Sequence, residues 1–240
     1  MNKKRIAVIS NLCIVCVLIG LGVAVFTTDL SNVFLSVGAP VYNGDRNSNK
    51  VSLMFVVEDD ARHLPDIMEK LKENNVQATF FVGGKWASEN RALVMAIARD
   101  FEIANHAYNN RNLAKLSEKN QRKEIAGCHS LVKAITAGTP LNLQQGNQIV
   151  NGIDMKLFSP PNGSFNKNTL RAAERLGYRT VIWSRDASTG YIYDRATSGI
   201  ASGDLVMMRP NAAVRGALQS VLDRYAQLGF SVVRVSENIA

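Results

Sequence analysis

Beyond residue 50 the chain alternates short apolar runs with longer stretches whose apolar residues recur at helical spacing. The runs are "VSLMFVV" (51–57), "ATFFVGG" (78–84), "FEIANHA" (101–107), "KLFSPP" (156–161), "RTVIWS" (179–184), "DLVMMR" (204–209) and "FSVVRVS" (230–236). Their β-branched and aromatic content predicts seven strands. Between the first two, "LPDIMEKLKENN" sets Leu64, Ile67, Met68 and Leu71 on one helical face, with Pro65 in the first turn. "ENRALVMAIARD", "EKNQRKEIAGCHSLVKAI", "NKNTLRAAERLG" and "AAVRGALQSVLDRYAQLG" read the same way, and Gly177 and Gly229 suit the ends of the last two. Most strand starts lie 22 to 27 residues apart, one βα unit each, which predicts parallel strands joined by helical crossovers. Seven such units fit a distorted (β/α)7 barrel better than a doubly wound sheet. No glycine-rich phosphate loop follows the first strand, which weakens a nucleotide-binding reading. The one long interval holds "AGTPLNLQQGNQIVNGID" (137–154), polar and rich in Gly, Asn and Gln, which reads as an inserted loop.

The N-terminal part follows another pattern. Residues 6–26 carry no charge over 21 positions, roughly 30 Å as a helix and so one bilayer core. Lys3, Lys4 and Arg5 precede them. The positive-inside rule then makes residues 1–5 a cytoplasmic stub, 6–26 an uncleaved transmembrane signal anchor, 27–50 an extracytoplasmic tether and lead-in segment, and 51–240 the folded domain. Localisation follows as a single-pass protein of the cell membrane with its domain outside.

Composition adds little to the fold but narrows the partners. The net charge is +8, which favours anionic surfaces such as a wall or membrane face. The basic residues are scattered and no basic cluster interleaves with aromatics, which argues against nucleic acid. Cys13 and Cys16 fall in the apolar run, so Cys128 alone belongs to the domain and no internal disulfide can form there.

In a parallel α/β barrel the functional residues sit at the carboxyl ends of the strands. Those positions are Val56, Val57 and the Glu58-Asp59-Asp60 run after strand 1, His106 after strand 3, "SPPNGSFN" after strand 4, Asp186 after strand 5 and Arg209 after strand 6. Together "VSLMFVVEDD…ATFFVGG", "EIANHAYNNRNL", "LFSPPNGSFN", "VIWSRDAS" and "GDLVMMR" resemble, in order and spacing, the five motifs of the polysaccharide deacetylase (NodB homology) family. The resemblance covers about residues 50 to 237. It implies a metal-dependent hydrolase that removes acetyl groups from N-acetylated sugars of walls or capsules. Zinc or another divalent ion would be held by one Asp and two His, with a second Asp as general base and a late His as acid.

Residue by residue, the chain departs from that set. The resemblance aligns the two aspartates with Val56 and Val57, the second metal-binding His with Asn110, the arginine that steadies the base with Ser159 and the late His with Arg209. Only His106 remains as a metal-ligand remnant. The amides around it, Asn105, Asn109, Asn110 and Asn112, read as the worn half of a metal site. The expectation is therefore a degenerate member without a cofactor, a pseudoenzyme that binds cell-wall glycan or an extracytoplasmic protein. Phe165, Trp183, Asp186 and Tyr191, with Tyr193, are candidate glycan contacts, although Phe165 and Trp183 also suit core packing. The alternative is an active N-deacetylase with a rearranged site in which Glu58, Asp59 or Asp60 replaces a lost ligand to Zn2+ or another divalent metal. A plainer reading makes those three a solvated turn before the first helix. His129, within a helix, reads as a structural histidine.

Overall fold

The structure is a computed structural model and describes residues 38–143 and 146–240. The predicted signal anchor lies outside the described residues, and no helix among the described residues is long and apolar enough to cross a membrane. In chain order the strands are β1 (Lys50–Val57), β2 (Thr79–Val82), β3 (Glu102–Asn105), β4 (Ala137–Leu143), β5 (Gly146–Asn151), β6 (Leu157–Phe158), β7 (Arg179–Thr180), β8 (Arg185–Asp186), β9 (Leu205–Met208) and β10 (Ser231–Val232). The helices are α1 (Leu64–Glu73), α2 (Gly84–Glu89), α3 (Arg91–Asp100), α4 (Glu118–Thr136), α5 (Lys167–Arg175), α6 (Ile192–Thr197), α7 (Ala212–Gln227) and α8 (Val235–Asn238).

The main sheet runs β7-β6-β3-β2-β1-β9-β8, with β10 also paired to the start of β1, and its pairings are parallel. It curls into a half-barrel covered by helices. Its two end strands, β7 and β8, belong to the same stretch of chain. That stretch bonds to β6 at its start, where Val181 N donates to Phe158 O at 2.8 Å, and to β9 at its end, where Ser184 N donates to Leu205 O at 3.0 Å and Ala187 N to Met207 O at 2.8 Å. The fifth predicted strand, 179–184, is thus two short strands that serve diverging neighbours. The seventh, 230–236, shrinks to the two residues of β10, because Val235 already begins α8. The predicted loop over 137–154 instead contains an antiparallel hairpin, β4 with β5.

Strands flanked by apolar layers on both faces read as continuous apolar runs, and β1 shows why. Leu53, Phe55 and Val57 face the helices, while Met54 and Val56 point into the curl of the sheet with Phe81, Ala104, Leu157, Leu205 and Met207. The two-residue period sorts one run between two cores. Gly177 and Gly229 have φ of +77°, the left-handed conformation that ends a helix without a Cβ clash. The folded unit begins at Gly38. Val41 N donates to Thr180 O at 2.9 Å, Gly44 N donates to Gly203 O at 2.7 Å, and Arg46 pairs with Asp204 at 2.9 Å. The predicted tether over 27–50 therefore gives way to folded chain by Val41.

Phe81 is fully buried inside the curl. Phe81→Ala should lower the unfolding free energy by about 3–5 kcal/mol, read as a fall in the urea midpoint. A loss below about 1 kcal/mol would mean that the inner core is not packed as described.

Candidate functional site

Four side chains meet where the carboxyl ends of β1, β3, β6 and β9 converge. Glu58 follows β1. Gly83 N donates to Val57 O, and a Cβ at Gly83 would stand 3.4 Å from Glu58 Cβ, so the turn after β2 walls one side of the carboxylate. His106 follows β3, with its N donating to Val82 O at 3.0 Å; Ser159 follows β6, with its N donating to Asn105 O at 3.0 Å. Arg209 follows β9, the neighbour of β1.

The Arg209 guanidinium donates from Nη1 to Glu58 Oε1 at 2.6 Å, and Nη1 lies 3.8 Å from Asp59 Oδ2. The Glu58 side chain is 3% exposed, that of Arg209 29%, and Asp59 reaches into water. Glu58 is thus not part of a solvated turn, whereas Asp59 and Asp60 are exposed, Asp60 paired with Arg62. The other carboxylate oxygen, Glu58 Oε2, lies 3.5 Å from His106 Nε2. His106 is almost wholly buried, and among the described residues neither of its ring nitrogens, nor Glu58 Oε2, nor Ser159 Oγ has a hydrogen-bond partner.

Burial sets the charge states. The His106 pKa falls to about 3, because its cation would be desolvated and would face the charge of Arg209. His106 is therefore neutral at neutral pH, and its approach to Glu58 is not an ion pair. Burial raises the Glu58 pKa, and the hydrogen bond and charge of Arg209 pull it back. Burial pushes the Cys128 thiol up to about 12, which leaves it an inert core group.

The amides of 105–112 are not idle. Asn105 is buried, donates to Ile125 O and Tyr178 OH, both at 2.9 Å, and accepts from Ala107 N at 2.8 Å. Ala107 itself sits at φ +62°, a costly conformation for a residue with a Cβ. Asn109 clamps the Glu124 carboxylate through N at 2.8 Å and Nδ2 at 3.1 Å. Asn110 Oδ1 accepts from Asn162 at 3.0 Å, Asn112 Oδ1 accepts from the Ser164 hydroxyl at 2.6 Å, and Ala114 O accepts from Asn166 at 2.9 Å. These three rungs, at alternate residues, zip the loop after β3 to the loop after β6. His129 bonds Tyr178 OH at 2.5 Å and approaches Asp154 at 3.4 Å, tying α4 to the chain after the hairpin.

A cleft of about 750 Å³ opens beside this cluster. Glu58 and His106 form its floor, Tyr108 supplies aromatic surface beside the buried Trp86, and Lys85 and Arg111 supply charge. The sequence reading missed the last four. The signal was available in "GGKW", which must leave the sheet at the carboxyl end of β2. It also missed the Glu58–Arg209 pair, although β1 and β9 are neighbours. Asp186 opposes Met207 across β8 and β9 and so lies at the same end of the sheet, its carboxylate accepting from Ser188 N at 3.0 Å. Phe165 and Trp183 are half-buried, Trp183 packing on the inner core and over Gly163, and Tyr191 is 84% exposed. These four stand outside the lining of the cleft.

The donor set does not fit the metal that the resemblance implies. Val56 and Val57 are core residues without lone pairs, Asn110 Oδ1 is engaged, and the carboxylate at hand already holds a guanidinium. Among the described residues no three His, Cys, Asp or Glu side chains are grouped to hold a metal ion.

A curled parallel sheet with its polar side chains gathered at the carboxyl ends of the strands defines a barrel-derived α/β domain with a rim site. The chain belongs to the polysaccharide deacetylase family, whose sequence model matches residues 43–181. It is 26% identical over 205 residues, 82% of its length, to the uncharacterized protein YlxY of Bacillus subtilis, and covers 60% of that protein. It is 31% identical over 149 residues to a peptidoglycan-N-acetylglucosamine deacetylase of Bacillus cereus, a match that spans 62% of this chain and 49% of the relative. The chain therefore spans about half to three fifths of the length of these curated relatives. Among solved structures it resembles a wild-type CE4 family pseudoenzyme from Bacillus anthracis, at 27% identity and a TM-score of 0.74, covering 84% of this chain and 69% of that one. A mutant of the same pseudoenzyme with restored enzymatic activity matches with a TM-score of 0.73.

The buried imidazole carries a pH signature. Between about pH 6.5 and 3 the unfolded chain binds a proton that folded His106 refuses. Stability should thus fall as pH drops, by up to about 1.4 kcal/mol per unit. Glu58 works the other way, because its raised pKa lets the folded state take a proton first near and above pH 4.5. The upper window, from about pH 6.5 to 5.5, avoids Glu58 but also contains His129, whose pKa burial lowers as well, so the His106 share is read as the difference between parent and variant. His106→Gln should flatten the pH dependence of the urea-unfolding free energy there by about three quarters of a proton. An unchanged slope would mean that His106 titrates normally.

Proposed function

We propose that the chain is a membrane-anchored, extracytoplasmic pseudoenzyme that recognises cell-wall glycan and does not hydrolyse it. The observation that carries this reading is the Arg209–Glu58 pair. Deacetylation of an N-acetyl sugar needs an activated water and a group that returns a proton to the leaving amine. Arginine stays protonated throughout the physiological range and cannot deliver that proton. The Glu58 carboxylate is held by the guanidinium, and the valines at the aligned aspartate positions are packed into two cores. The pseudoenzyme neighbour from Bacillus anthracis supports the reading, since the fold there also persists without the reaction.

The cleft has the chemistry of a sugar site: an aromatic face from Tyr108, amides from Asn90 and Asn109, and charge from Lys85 and Arg111, above the buried Glu58 and His106 of its floor. Phe165, Trp183, Asp186 and Tyr191 would extend the contact along the rim. Residues 6–26 would span the membrane and 27–40 would tether the domain outside, where it could equally dock a wall protein. The alternative is an active deacetylase with a rearranged site. It has one observation in its favour, the 3.5 Å approach of Glu58 to His106 with lone pairs to spare.

Purified full-length protein should bind N-acetylglucosamine oligomers in titration calorimetry, and Tyr108→Leu should weaken binding about tenfold, the scale of one lost stacking contact. Acetate release should be absent with and without added zinc. Zinc-dependent release that His106→Ala abolishes would replace this reading with the alternative. For the anchor, protease added to intact cells should digest the domain, and full protection would reject an external location.

A further inference from the structure

We infer that the Arg209 guanidinium is the resident cation of this site, a permanent substitute for the divalent metal that the family's chemistry implies. The inference rests on family membership and on the Glu58–Arg209 geometry, and it stands whether or not glycan binds in the cleft.

The geometry places one guanidinium nitrogen against two carboxylates that follow β1, on the side of Glu58 away from the metal-ligand remnant His106. Arg209 Nη1 lies 2.6 Å from Glu58 Oε1 and 3.8 Å from Asp59 Oδ2. The imidazole of His106 approaches the same carboxylate from its other oxygen, at 3.5 Å. A carboxylate 3% exposed needs a compensating cation, and among the described residues Arg209 supplies the only permanent charge paired with Glu58. A dication could not share that place with a guanidinium, since the two would repel at contact distance in a poorly solvated site.

The substitution also accounts for the rest of the rim. A guanidinium brings one positive charge where a metal brings two, so it neutralises one carboxylate and leaves Asp59 73% exposed in water. It arrives covalently attached to β9, so it cannot dissociate and needs no second imidazole. The amide at Asn110 is then free for the zipper to Asn162. The site trades an exchangeable ion that activates water for a fixed one that only holds charge.

The test is thermal unfolding and zinc titration of the full chain, with zinc chloride as the probe and no sugar present. The parent protein should show no zinc heat and no change in melting temperature. Arg209→Ala should melt about 5–10 °C lower, as expected for an orphaned buried carboxylate. Zinc should recover at least half of that loss, because removal of the guanidinium frees the Glu58 carboxylate beside the His106 imidazole, two ligands to which water can add the rest. Arg209→Ala with Glu58→Gln should melt near the parent without zinc and ignore it, and this double variant reads out the charge pair if the single variant does not fold. Zinc stabilisation of the parent would overturn the inference. So would Arg209→Ala that is as stable as the parent, or destabilised with no response to zinc, and so would a double variant as unstable as the single one.

Discussion

A carboxylate withdrawn from water at the end of a buried strand has to be answered by a cation, and the rim of this domain is organised around that demand. Glu58 is carried to its place by β1, whose residues up to Val57 are fixed in two apolar layers. The carboxylate therefore cannot drift to the surface without dragging the central strand with it. Arg209 can reach it only because β9 lies next to β1 in parallel register, Phe55 opposite Met208. Burial, with the charge of Arg209 added to it, keeps His106 neutral, and a neutral imidazole can stay buried where a charged one could not. Removing the cation would shift the protonation of Glu58 and His106, the two groups on which its charge acts.

What could be read from the sequence followed from how strongly each segment is buried. β1, β2, β3 and β9 lie deep in the sheet with apolar neighbours on both faces, and their runs announce them. The run at 179–184 was equally apolar, but hydrophobicity carries no information about which neighbour takes its hydrogen bonds, and the chain switches neighbours midway. The apolar run at 230–236 overstates its strand because Val235 is buried at the start of a short helix, and burial alone does not distinguish the two. The stretch at 137–154 scatters its few apolar residues, Leu141, Leu143, Ile149, Val150 and Ile153, among Gly, Asn and Gln, yet residues 137–151 form a hairpin whose ladder is satisfied by backbone.

For the site, the positions were legible and the pairings were not. Strand ends predicted that Glu58, His106, Ser159 and Arg209 would share a rim. Nothing in a one-dimensional pattern shows that an acid after the first strand and an arginine 151 residues later form a bond, unless the strand order is known. The amides illustrate the same limit. Asn110 and Asn112 look like residue from a vanished centre when viewed beside His106, but their partners, Asn162 and Ser164, lie in another loop. Side chains with no metal to hold have been recruited to bind two loops together.

The central position of β1 also has a temporal consequence. It pairs with β2 at once, but its other partners lie far down the chain, Leu205 opposite Ser52 and Ser231 opposite Lys50. Such remote contacts cost chain entropy before they return any stability. A chain emerging N-terminus first must therefore hold its middle strand with one edge unpaired until β9 appears, about 150 residues later. If those residues emerge on the far side of a membrane, the half-built sheet waits there, apolar edge exposed, and depends on the speed of export to be completed before it meets a neighbour.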